Sequence, residues 1–485
     1  MKEQQLISAL TSMNAWWTGA PVPSAIKKAE MRRKVFFDLS KTCLKDKDIS
    51  CISGPRQVGK TTLIGQLIDY QINEEKIDPK RILYVLIDNE LLKINSDNVL
   101  MDSLKIYFDF VLEEPIQSLK SKVYIYLDEI QSLENWAKQL KSYFDIYPNI
   151  KFIISGSSET KLRKDAAESL VGRIQFKLVL PFKFREFLDF NLSKKSKDFE
   201  FSTNELRKAL ILSIQNNDPS YFYRKVTNLQ IKLASELPAI KRLLNNYLIK
   251  GGYPGALQYK EDYPKALEKI KTDLELTVYK DIYQMFGTRN SSDLMTLLTL
   301  IANSSGQKIN YARLSNVIGI DRRVVTDYLY YSLILYITCE SKIYKNSKYI
   351  QAEKMNKAYM VDTGHRNALL GKMNEDALKD PDSGLLIQTA VFNHAERLRF
   401  YLTNHMEHEI FYWEDGTSEI DLILDSSKLI LPIEVKSNSG DKAVGAIKKF
   451  ISENKLKWGI IVTLDELKLE KDILFVPLWA FLLMC

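Results

Sequence analysis

The sequence is poor in the cysteines that disulfide frameworks and zinc sites need. It has four cysteines in 485 residues, and no two of them form a C-x-x-C pair. This excludes a disulfide-stapled fold and a cysteine zinc module, and it fits a reducing cytoplasm. His405 and His408 have i, i+3 spacing but no cysteine nearby, so a metal site there is the weaker interpretation.

Long apolar runs and a leader pattern are also missing. The N-terminus lacks the charged-then-apolar order of a signal peptide, and no segment approaches the ~18 apolar residues of a membrane helix. We therefore expect a cytoplasmic chain without a membrane partner. The final uncharged run, residues 473–485, carries Pro477 and favours a last strand followed by a short docking helix.

The length and charge distribution indicate several domains with basic segments. The chain is 45% hydrophobic and 27% charged, as in folded proteins, and it exceeds the length that one core usually serves. Residues 181–250 hold 13 lysines and arginines against seven acidic residues, and residues 301–350 hold seven against three. Such segments predict either contact with nucleic acid or lysine-rich solvated faces, and the sequence leaves both open.

A complete G-x-x-x-x-G-K-[ST] phosphate-binding loop follows an apolar segment at residues 49–53 and precedes helically spaced apolar residues. Its residues are Gly54, Pro55, Arg56, Gln57, Val58, Gly59, Lys60, Thr61 and Thr62. Lys60 is predicted to reach the β- and γ-phosphates, and the Thr61 hydroxyl to ligate Mg²⁺. The loop predicts a nucleotide-binding site.

An acidic pair ends the strand predicted from residue 123. Asp128 and Glu129 follow a run of apolar residues, and a further apolar run, residues 81–88, lies between this strand and the loop. Asp128 is predicted to hold the Mg²⁺ hydration shell, and Glu129 to act as the general base on the attacking water. After a complete phosphate loop, this pair predicts Mg²⁺-dependent ATP hydrolysis.

Two further positions are candidates for the same site. The strand over residues 151–154 ends in serines, of which Ser157, with Ser155 as the second choice, could sense the γ-phosphate, although helix capping explains them equally well. Arg173 could act as an arginine finger within the chain or between chains, and a surface arginine is the alternative. A homo-oligomer is therefore left open.

Residues 291–350 are patterned as a winged helix-turn-helix. Two helically spaced segments, the second over residues 311–318, are followed by a glycine turn and a third helix capped by Asp321. Arg322 and Arg323 at the start of this helix are predicted to contact DNA phosphates or guanine edges. Packing without DNA contact, and a scaffold for protein partners, are the alternatives.

Two alternating segments, residues 419–424 and 431–436, predict an antiparallel hairpin. Glu434 and Lys436 share one face, and Asp421 lies across the hairpin from them. Two carboxylates and a lysine in this arrangement could hold a divalent metal and position water beside a phosphate. Charged residues on the solvent face of a hairpin are the plain alternative.

Together these motifs resemble the AAA-like ATPases of bacteria and archaea that carry a C-terminal restriction-endonuclease-like domain of uncharacterised role. The matching stretches span nearly the whole chain, at residues 14–17, 54–62, 126–131, 154–158, 172–173 and 251–254. The resemblance implies an α/β architecture: a P-loop NTPase with a parallel sheet of order 5-1-4-3-2, then a helical or winged-helix module, then a restriction-endonuclease-like α/β domain.

The C-terminal hairpin is similar to the D-x(n)-E-x-K core of the PD-(D/E)XK nuclease fold. This implies that Asp421, Glu434 and the Val435 carbonyl bind Mg²⁺ and that Lys436 positions or activates water. Gln388 stands where such chains usually place Glu, and a neutral amide is a poorer partner for a divalent metal. Weakened or absent cleavage follows, unless Glu396 substitutes for the missing carboxylate.

We predict five parts, namely an N-terminal extension (1–30), a P-loop ATPase core (31–190), a basic helical insertion or lid (191–290), the winged helix-turn-helix (291–350) and the nuclease-like domain (351–485). The predicted function is that of an ATPase that uses ATP and Mg²⁺ to control a C-terminal domain that binds, or cleaves, nucleic acid. An ATP-dependent switch or a protein- or DNA-binding module with an inactive nuclease-like domain is the alternative.

Overall fold

A computed structural model describes residues 2–29, 31–192, 196–287, 290–345, 351, 354–372, 374–379, 381, 383–402, 410–425, 430–436 and 441–485. The chain forms two compact units, Met1–Leu180 and Pro181–Cys485. The finer division into five parts stays a prediction. Over the described ranges, no helix combines the length and the apolar character needed to cross a membrane.

The first unit is built on a five-stranded parallel sheet of order β2-β3-β4-β1-β5. The strands are β1 (Ile49–Ser53), β2 (Ile82–Leu86), β3 (Val123–Asp128), β4 (Ile150–Gly156) and β5 (Ile174–Leu178). Read from its other edge, the order is 5-1-4-3-2, which confirms the predicted sheet. Strands β1, β3 and β4 are buried along their whole length, and this explains why their sequences are apolar without alternation.

Helices cover both faces of this sheet. They are α1 (Lys2–Met13), α2 (Lys34–Thr42), α3 (Lys60–Asn73), α4 (Glu90–Asn95), α5 (Val99–Ile106), α6 (Trp136–Ile146) and α7 (Glu159–Ala167). Shorter turns are 3₁₀ helices at Ala15–Thr18, Pro79–Arg81, Ile116–Ser118 and Ile130–Ser132 and a π-helix at Tyr107–Leu112. Along β3, Ile125 and Leu127 enter one apolar core and Tyr124 and Tyr126 enter the other. Both faces of the sheet are therefore buried.

The second unit begins with helices and ends with a mixed sheet. Its helices are α8 (Phe184–Leu192), α9 (Ser196–Gln215), α10 (Ser220–Lys232), α11 (Leu237–Lys250), α12 (Pro254–Leu257), α13 (Tyr263–Leu276), α14 (Tyr283–Phe286), α15 (Ser291–Asn303), α16 (Tyr311–Ile318), α17 (Arg322–Ile334), α18 (Thr363–Leu369), α19 (Ser383–Leu402), α20 (Asp441–Glu453) and α21 (Leu478–Met484). A π-helical turn at Thr277–Ile282 joins α13 to α14, and a 3₁₀ turn lies at Glu375–Leu378.

Among the described residues, the sheet of the second unit has nine strands in the order β13-β14-β12-β11-β10-β9-β7-β8-β6. They are β6 (Gln307–Lys308), β7 (Thr338–Ile343), β8 (Lys357–Met360), β9 (Ile410–Glu414), β10 (Glu419–Asp425), β11 (Ile430–Val435), β12 (Gly459–Thr463), β13 (Lys468–Glu470) and β14 (Ile473–Pro477). Strand β7 pairs antiparallel with β8 and parallel with β9. One sheet therefore joins strands from both sides of the predicted boundary at residue 350.

The segments predicted as a helix-turn-helix are helical in the structure. Helix α16 ends at Gly319, whose φ is +81°, and the Asp321 side chain accepts the backbone N–H of Arg323 at 2.7 Å at the start of α17. The sequence favours Tyr328, Tyr330 and Tyr331 as core residues rather than base-stacking groups. Tyr328 is buried in this unit's core and Tyr331 is half-buried against it, whereas Tyr330 is exposed. Arg322 and Arg323 are exposed. Their role in binding DNA stays a prediction.

Candidate functional site

The phosphate-binding loop lies between β1 and α3, and its curl depends on two glycines. A Cβ at Gly54 would collide with the Val179 carbonyl, and Gly59 has a φ of +96°, in the left-handed region that side chains disfavour. Gln57 also has a positive φ, +59°. Helix α3 begins at Lys60, so the N-terminal end of the helix directly follows the loop that Gly54 to Gly59 form.

Lys60 and the loop carbonyls form a buried hydrogen-bond network. The Lys60 ammonium donates to the carbonyl oxygens of Gly54 and Pro55, both at 2.9 Å. Arg33 donates to the carbonyl oxygens of Val58 at 3.3 Å and Leu180 at 2.9 Å. Sequence reasoning missed Arg33, because these contacts join positions far apart in the chain.

Asp128, at the end of β3, accepts hydrogen bonds from three different elements. Its Oδ2 accepts the hydroxyls of Thr61 at 2.7 Å and Tyr84 at 3.1 Å, and its Oδ1 accepts the Ser155 hydroxyl. Burial raises the pKa of Asp128 and the Glu129 charge adds to the rise, while the bonds from Ser155 and Thr61 lower it. The predicted Thr61 and Asp128 pair is brought together, and a hydroxyl beside a carboxylate fits Mg²⁺.

Glu129 adopts a left-handed backbone with a φ of +56°, an uncommon conformation for this residue type that is often found at functional sites. Its backbone N–H donates to the Ser155 hydroxyl at 3.2 Å, and the Gln131 amide donates to its carboxylate. Gln131 also donates to Ser157 at 3.4 Å. Thus Ser155 contacts Asp128 and Ser157 contacts Gln131, whereas Ser158 caps α7.

Arg173 lies at the end of the strands that is opposite to the phosphate-binding loop. Its carbonyl accepts the N–H of Ile49, the first residue of β1, whereas the loop follows the last. The two ends of β1 are separated by its five residues, which span roughly 16 Å. Its guanidinium contacts Asp145 at 2.9 Å. The structure therefore does not bring Arg173 near Lys60 of the same chain, and a role towards a second chain stays a prediction.

Asp421, Glu434 and Lys436 meet at one end of the β10–β11 hairpin. The Asp421 N–H donates to Glu434 Oε2 at 2.9 Å, the Val435 N–H donates to Asp421 Oδ2 at 3.1 Å, and the Lys436 ammonium lies 2.9 Å from Glu434 Oε1. The β9–β10 pairing changes register between residues 420 and 423. The extra residue lies on β10 beside Asp421, and β-bulges often lie next to functional sites.

Two further donors reach the same cluster from outside the hairpin. Lys357 on β8 is 1% exposed, pairs with Glu419, and places its ammonium 3.6 Å from Asp421 Oδ1. The Gln388 amide on α19 donates to the same oxygen. The sequence analysis assigned no chemical role to the segment that contains Lys357, because a lysine at the start of a strand does not by itself indicate a functional site.

The contacts around Asp421 and Glu434 do not fit a divalent metal. Every carboxylate oxygen of the two residues already accepts a donor from the protein, and the ammonium groups of Lys357 and Lys436 balance their charges. Burial raises the pKa of Glu434 and the Asp421 charge adds to the rise, against the Lys436 ammonium. In the described part of the chain, no group of three or more His, Cys, Asp or Glu could hold a metal ion.

The sequence also offers Glu396 as a substitute carboxylate, with a solvated side chain as the alternative, and a metal site at His405 and His408 as the weaker interpretation. Glu396 pairs with Arg399 at 3.0 Å on the same helix, so its described ion pair is local. His405 and His408 lie outside the described residues. Mg²⁺ binding by Asp421 and Glu434 stays a prediction. The contacts described above do not support it, because each carboxylate oxygen already accepts a donor from the protein.

Three protein-family models match separate parts of the chain. Residues 46–188 match the model of an AAA domain, so the first unit contains an AAA-like P-loop domain. Residues 241–376 and 383–481 match two models that are each described as a domain of unknown function, DUF8612 and DUF4143. The restriction-endonuclease-like class of the C-terminal part is not among these matches.

Two archaeal proteins are similar over most of the chain. The uncharacterized protein MJ1544 of Methanocaldococcus jannaschii is 25% identical, in an alignment that covers 84% of this chain and 80% of the length of MJ1544. Among solved structures, the Walker-type ATPase paby2304 of Pyrococcus abyssi is similar at 14% identity with a TM-score of 0.43, over 73% of this chain and 99% of that one. The uncharacterized protein MJ1637 of M. jannaschii is 31% identical over 90% of this chain and 85% of its own. The chain belongs to the same protein family as MJ1637.

Proposed function

We propose that the first unit binds ATP with Mg²⁺ and hydrolyses it. The observation that carries this proposal is the contact of Thr61 with Asp128 at 2.7 Å beside a loop that ends in Lys60. Thr61 and Asp128 would hold Mg²⁺, which neutralises phosphate charge when bound. Lys60 would leave its two loop carbonyls to bind phosphate oxygens, and the backbone N–H groups of the loop would bind the remaining ones.

Glu129 is the general base in this proposal, and it would accept a proton from the attacking water. Gln131 donates to its carboxylate and orients it, while the bond from the Glu129 N–H to Ser155 fixes the backbone at this residue. Ser157 lies one contact further away, on Gln131. Its proposed part is to report on the γ-phosphate through this amide.

Phosphate release from ATP tests the proposal directly. We expect turnover by the wild type in Mg²⁺, none in excess EDTA, and a loss of more than 100-fold in Lys60→Ala, because the phosphate charge loses its main partner. Lys41→Ala, at an exposed lysine of α2, is the matched control. Turnover that survives Lys60→Ala would place hydrolysis elsewhere or in a contaminant.

We further propose that the nucleotide cycle controls nucleic-acid binding by the second unit. Exposed Arg322 and Arg323 at the start of α17, in a segment with a basic excess, support this part. Cations in such a position contact phosphates, so binding should weaken steeply with salt. Removing both arginines should lower the slope of log affinity against log salt by about two.

A fluorescence anisotropy titration with duplex and single-stranded DNA at several salt concentrations tests this second part. Glu129→Gln in ATP gives the ATP-bound state, and wild type in ADP gives the product state. Lys455→Ala with Lys457→Ala removes two exposed charges outside α17 and is the control. DNA affinities that are equal in both nucleotide states would contradict the proposed control.

A metal-dependent nuclease is the second candidate function for the second unit. The meeting of Asp421, Glu434 and Lys436 favours it, and the donors from Lys357 and Gln388 weigh against it. We expect no cleavage. The check is nicking of supercoiled plasmid in Mg²⁺ or Mn²⁺ by wild type and Lys436→Ala, and nicking that disappears in Lys436→Ala would establish the nuclease instead.

A further inference from the structure

At the β2 edge of the first sheet, side chains bond to backbone groups that a neighbouring strand would otherwise pair. Strand β2 is one of the two edge strands, and such edges leave backbone groups unpaired within the sheet. The Asn14 side chain accepts the Tyr84 N–H at 2.6 Å and donates to the Tyr84 carbonyl at 2.9 Å. The indole N–H groups of Trp16 and Trp17 both donate to the Ile82 carbonyl, at 3.1 and 2.8 Å.

These three side chains, Asn14, Trp16 and Trp17, form what we call the edge clamp. Asn14 is fully buried and also donates to the Leu10 carbonyl at 2.8 Å, so α1 is tied to the same point. An amide that offers one donor and one acceptor reproduces the pairing of a neighbouring strand at a single residue. The clamp therefore fixes both the backbone position and the register of Tyr84.

Tyr84 extends from this clamped position to the magnesium site. It is 2% exposed, and its hydroxyl donates to Asp128 Oδ2, the oxygen that also accepts Thr61. A hydrogen bond from a buried hydroxyl orients the carboxylate that accepts it.

We propose that Tyr84 is a positioning residue for the Asp128 carboxylate and that the edge clamp sets its position. The inference rests on the ATPase function proposed above and extends it to residues outside the nucleotide motifs. It gives a role to residues 14–17. Through their bonds to β2 and the Tyr84 hydroxyl, these residues would influence the affinity of the site for Mg²⁺. Displacing the clamp would weaken Mg²⁺ binding without touching the phosphate loop.

Tyr84→Phe in the full chain is the main test, because it keeps the buried ring and removes only the hydroxyl. We expect the Mg²⁺ concentration for half-maximal ATP hydrolysis to rise about five- to tenfold, with ATP affinity in EDTA within about twofold of wild type. Tyr126→Phe is the matched control: this tyrosine on β3 is also buried, and its hydroxyl donates to Gln71 Oε1 at 2.6 Å.

Asn14→Ala tests the clamp itself. We expect faster hydrogen exchange of the Tyr84 amide together with a two- to fivefold higher Mg²⁺ requirement, because the backbone of β2 loses both bonds from the amide. An unchanged Mg²⁺ requirement in folded Asn14→Ala would overturn the clamp. An unchanged requirement in Tyr84→Phe, or an equal shift in Tyr126→Phe, would overturn the positioning role.

Direct Mn²⁺ binding separates this inference from the ATPase proposal. Free Mn²⁺ is measured by electron paramagnetic resonance in the presence of a non-hydrolysable ATP analogue, so no turnover is needed. Wild type that binds Mn²⁺ without hydrolysing ATP would refute the ATPase and leave the Tyr84 inference standing if Tyr84→Phe binds Mn²⁺ five- to tenfold more weakly. Equal binding by wild type and Tyr84→Phe refutes the inference alone.

Discussion

Gln131 is the side chain that connects the proposed base to the rest of the ATP site. It donates to the Glu129 carboxylate and to Ser157, and its own Oε1 is buried without a hydrogen-bond partner among the described residues. Gln131→Leu should lower kcat about tenfold with KM for ATP within twofold, because only the orientation of Glu129 is lost.

Steady-state phosphate release at several ATP concentrations measures this split between kcat and KM. Gln139→Leu is the control, because the hydrogen bond described for the Gln139 amide on α6 runs to the nearby Glu134 backbone carbonyl. A kcat of Gln131→Leu equal to wild type, or a loss confined to KM, would show that Glu129 needs no such support.

The charge balance at Asp421 makes a second prediction at this scale. Gln388→Glu combined with Lys357→Met replaces a neutral donor by a carboxylate and removes one ammonium, so the cluster gains net negative charge and oxygen ligands. We expect this double variant to bind Mn²⁺ in the millimolar range or tighter, and the parent chain to bind none at this cluster.

The measurement uses full-length chains that carry Asp128→Asn, which weakens metal binding at the ATP site. Mn²⁺ binding is followed by isothermal titration, and adding Asp421→Asn to the double variant should abolish it. Mn²⁺ binding at this cluster by the parent chain would mean that Lys357 does not take the place of a metal.

Residues of the ATP site differ in how visible they are in the sequence. Lys60, Thr61, Asp128 and Glu129 were predictable because each belongs to a contiguous motif at the end of a strand. Tyr84 was not predictable, because its partner Asp128 lies 44 positions away and a tyrosine in a buried strand is expected to be a core residue. The chemistry of such a residue depends on a contact that local sequence does not encode.

At the scale of elements, His394 joins α19 to α8. Its Nε2 accepts the backbone N–H of Phe184 at 3.1 Å, so Nδ1 carries the proton and donates to the Ala390 carbonyl at 2.8 Å. Burial lowers the pKa of His394 well below 6.5, and the positive charge of Arg397 adds to the decrease. The folded unit thus holds a neutral histidine that the unfolded chain would protonate in mild acid.

A pH-dependent stability follows with a definite sign. The unfolded chain binds the extra proton below about pH 6.5, so the contribution of His394 is complete above that pH and is lost as the pH falls. The free energy of unfolding of wild type should fall by about 1.4 kcal/mol more per pH unit below 6 than that of His394→Gln, which keeps an acceptor. Urea unfolding at pH 7.5, 6.0 and 5.0 measures this, and parallel curves would contradict it.

The elements were predictable where the pattern is local and not where pairing is distant. The strands of the first sheet follow from apolar runs, their order was implied by the family resemblance, and the C-terminal hairpin follows from alternation. The joining of β7 to β9 does not, because Lys342 pairs with Phe411 across a long sequence separation. The register shift near Asp421 inserts one extra residue into β10 opposite β9, and the regular alternation of the hairpin sequence does not reveal this pairing.

At the scale of the whole molecule, the position of Arg173 bears on assembly. It pairs with Asp145 at the end of the strands that is away from its own phosphate loop. A catalytic role would therefore require Arg173 to reach the ATP site of a second chain. We predict that turnover per chain rises with protein concentration in wild type and stays low in Arg173→Ala, because an arginine from a neighbour stabilises the transferring phosphoryl group.

Asp145→Asn is the control for this prediction, since it frees Arg173 without removing it and should retain turnover. Phosphate release over a range of protein concentrations, with mass measured by light scattering, is the check. Turnover of Arg173→Ala equal to wild type at every concentration would remove Arg173 from the mechanism.

The central claim is that Lys60, Thr61, Asp128 and Glu129 form one Mg²⁺-dependent ATP-hydrolysing site. The most direct measurement is parallel ATP binding and phosphate release by wild type and Glu129→Gln in Mg²⁺. We predict that Glu129→Gln binds ATP within about threefold of wild type and releases phosphate at least 100-fold more slowly, because only the proton acceptor is lost. Full turnover by Glu129→Gln, or no turnover by wild type, would contradict the claim.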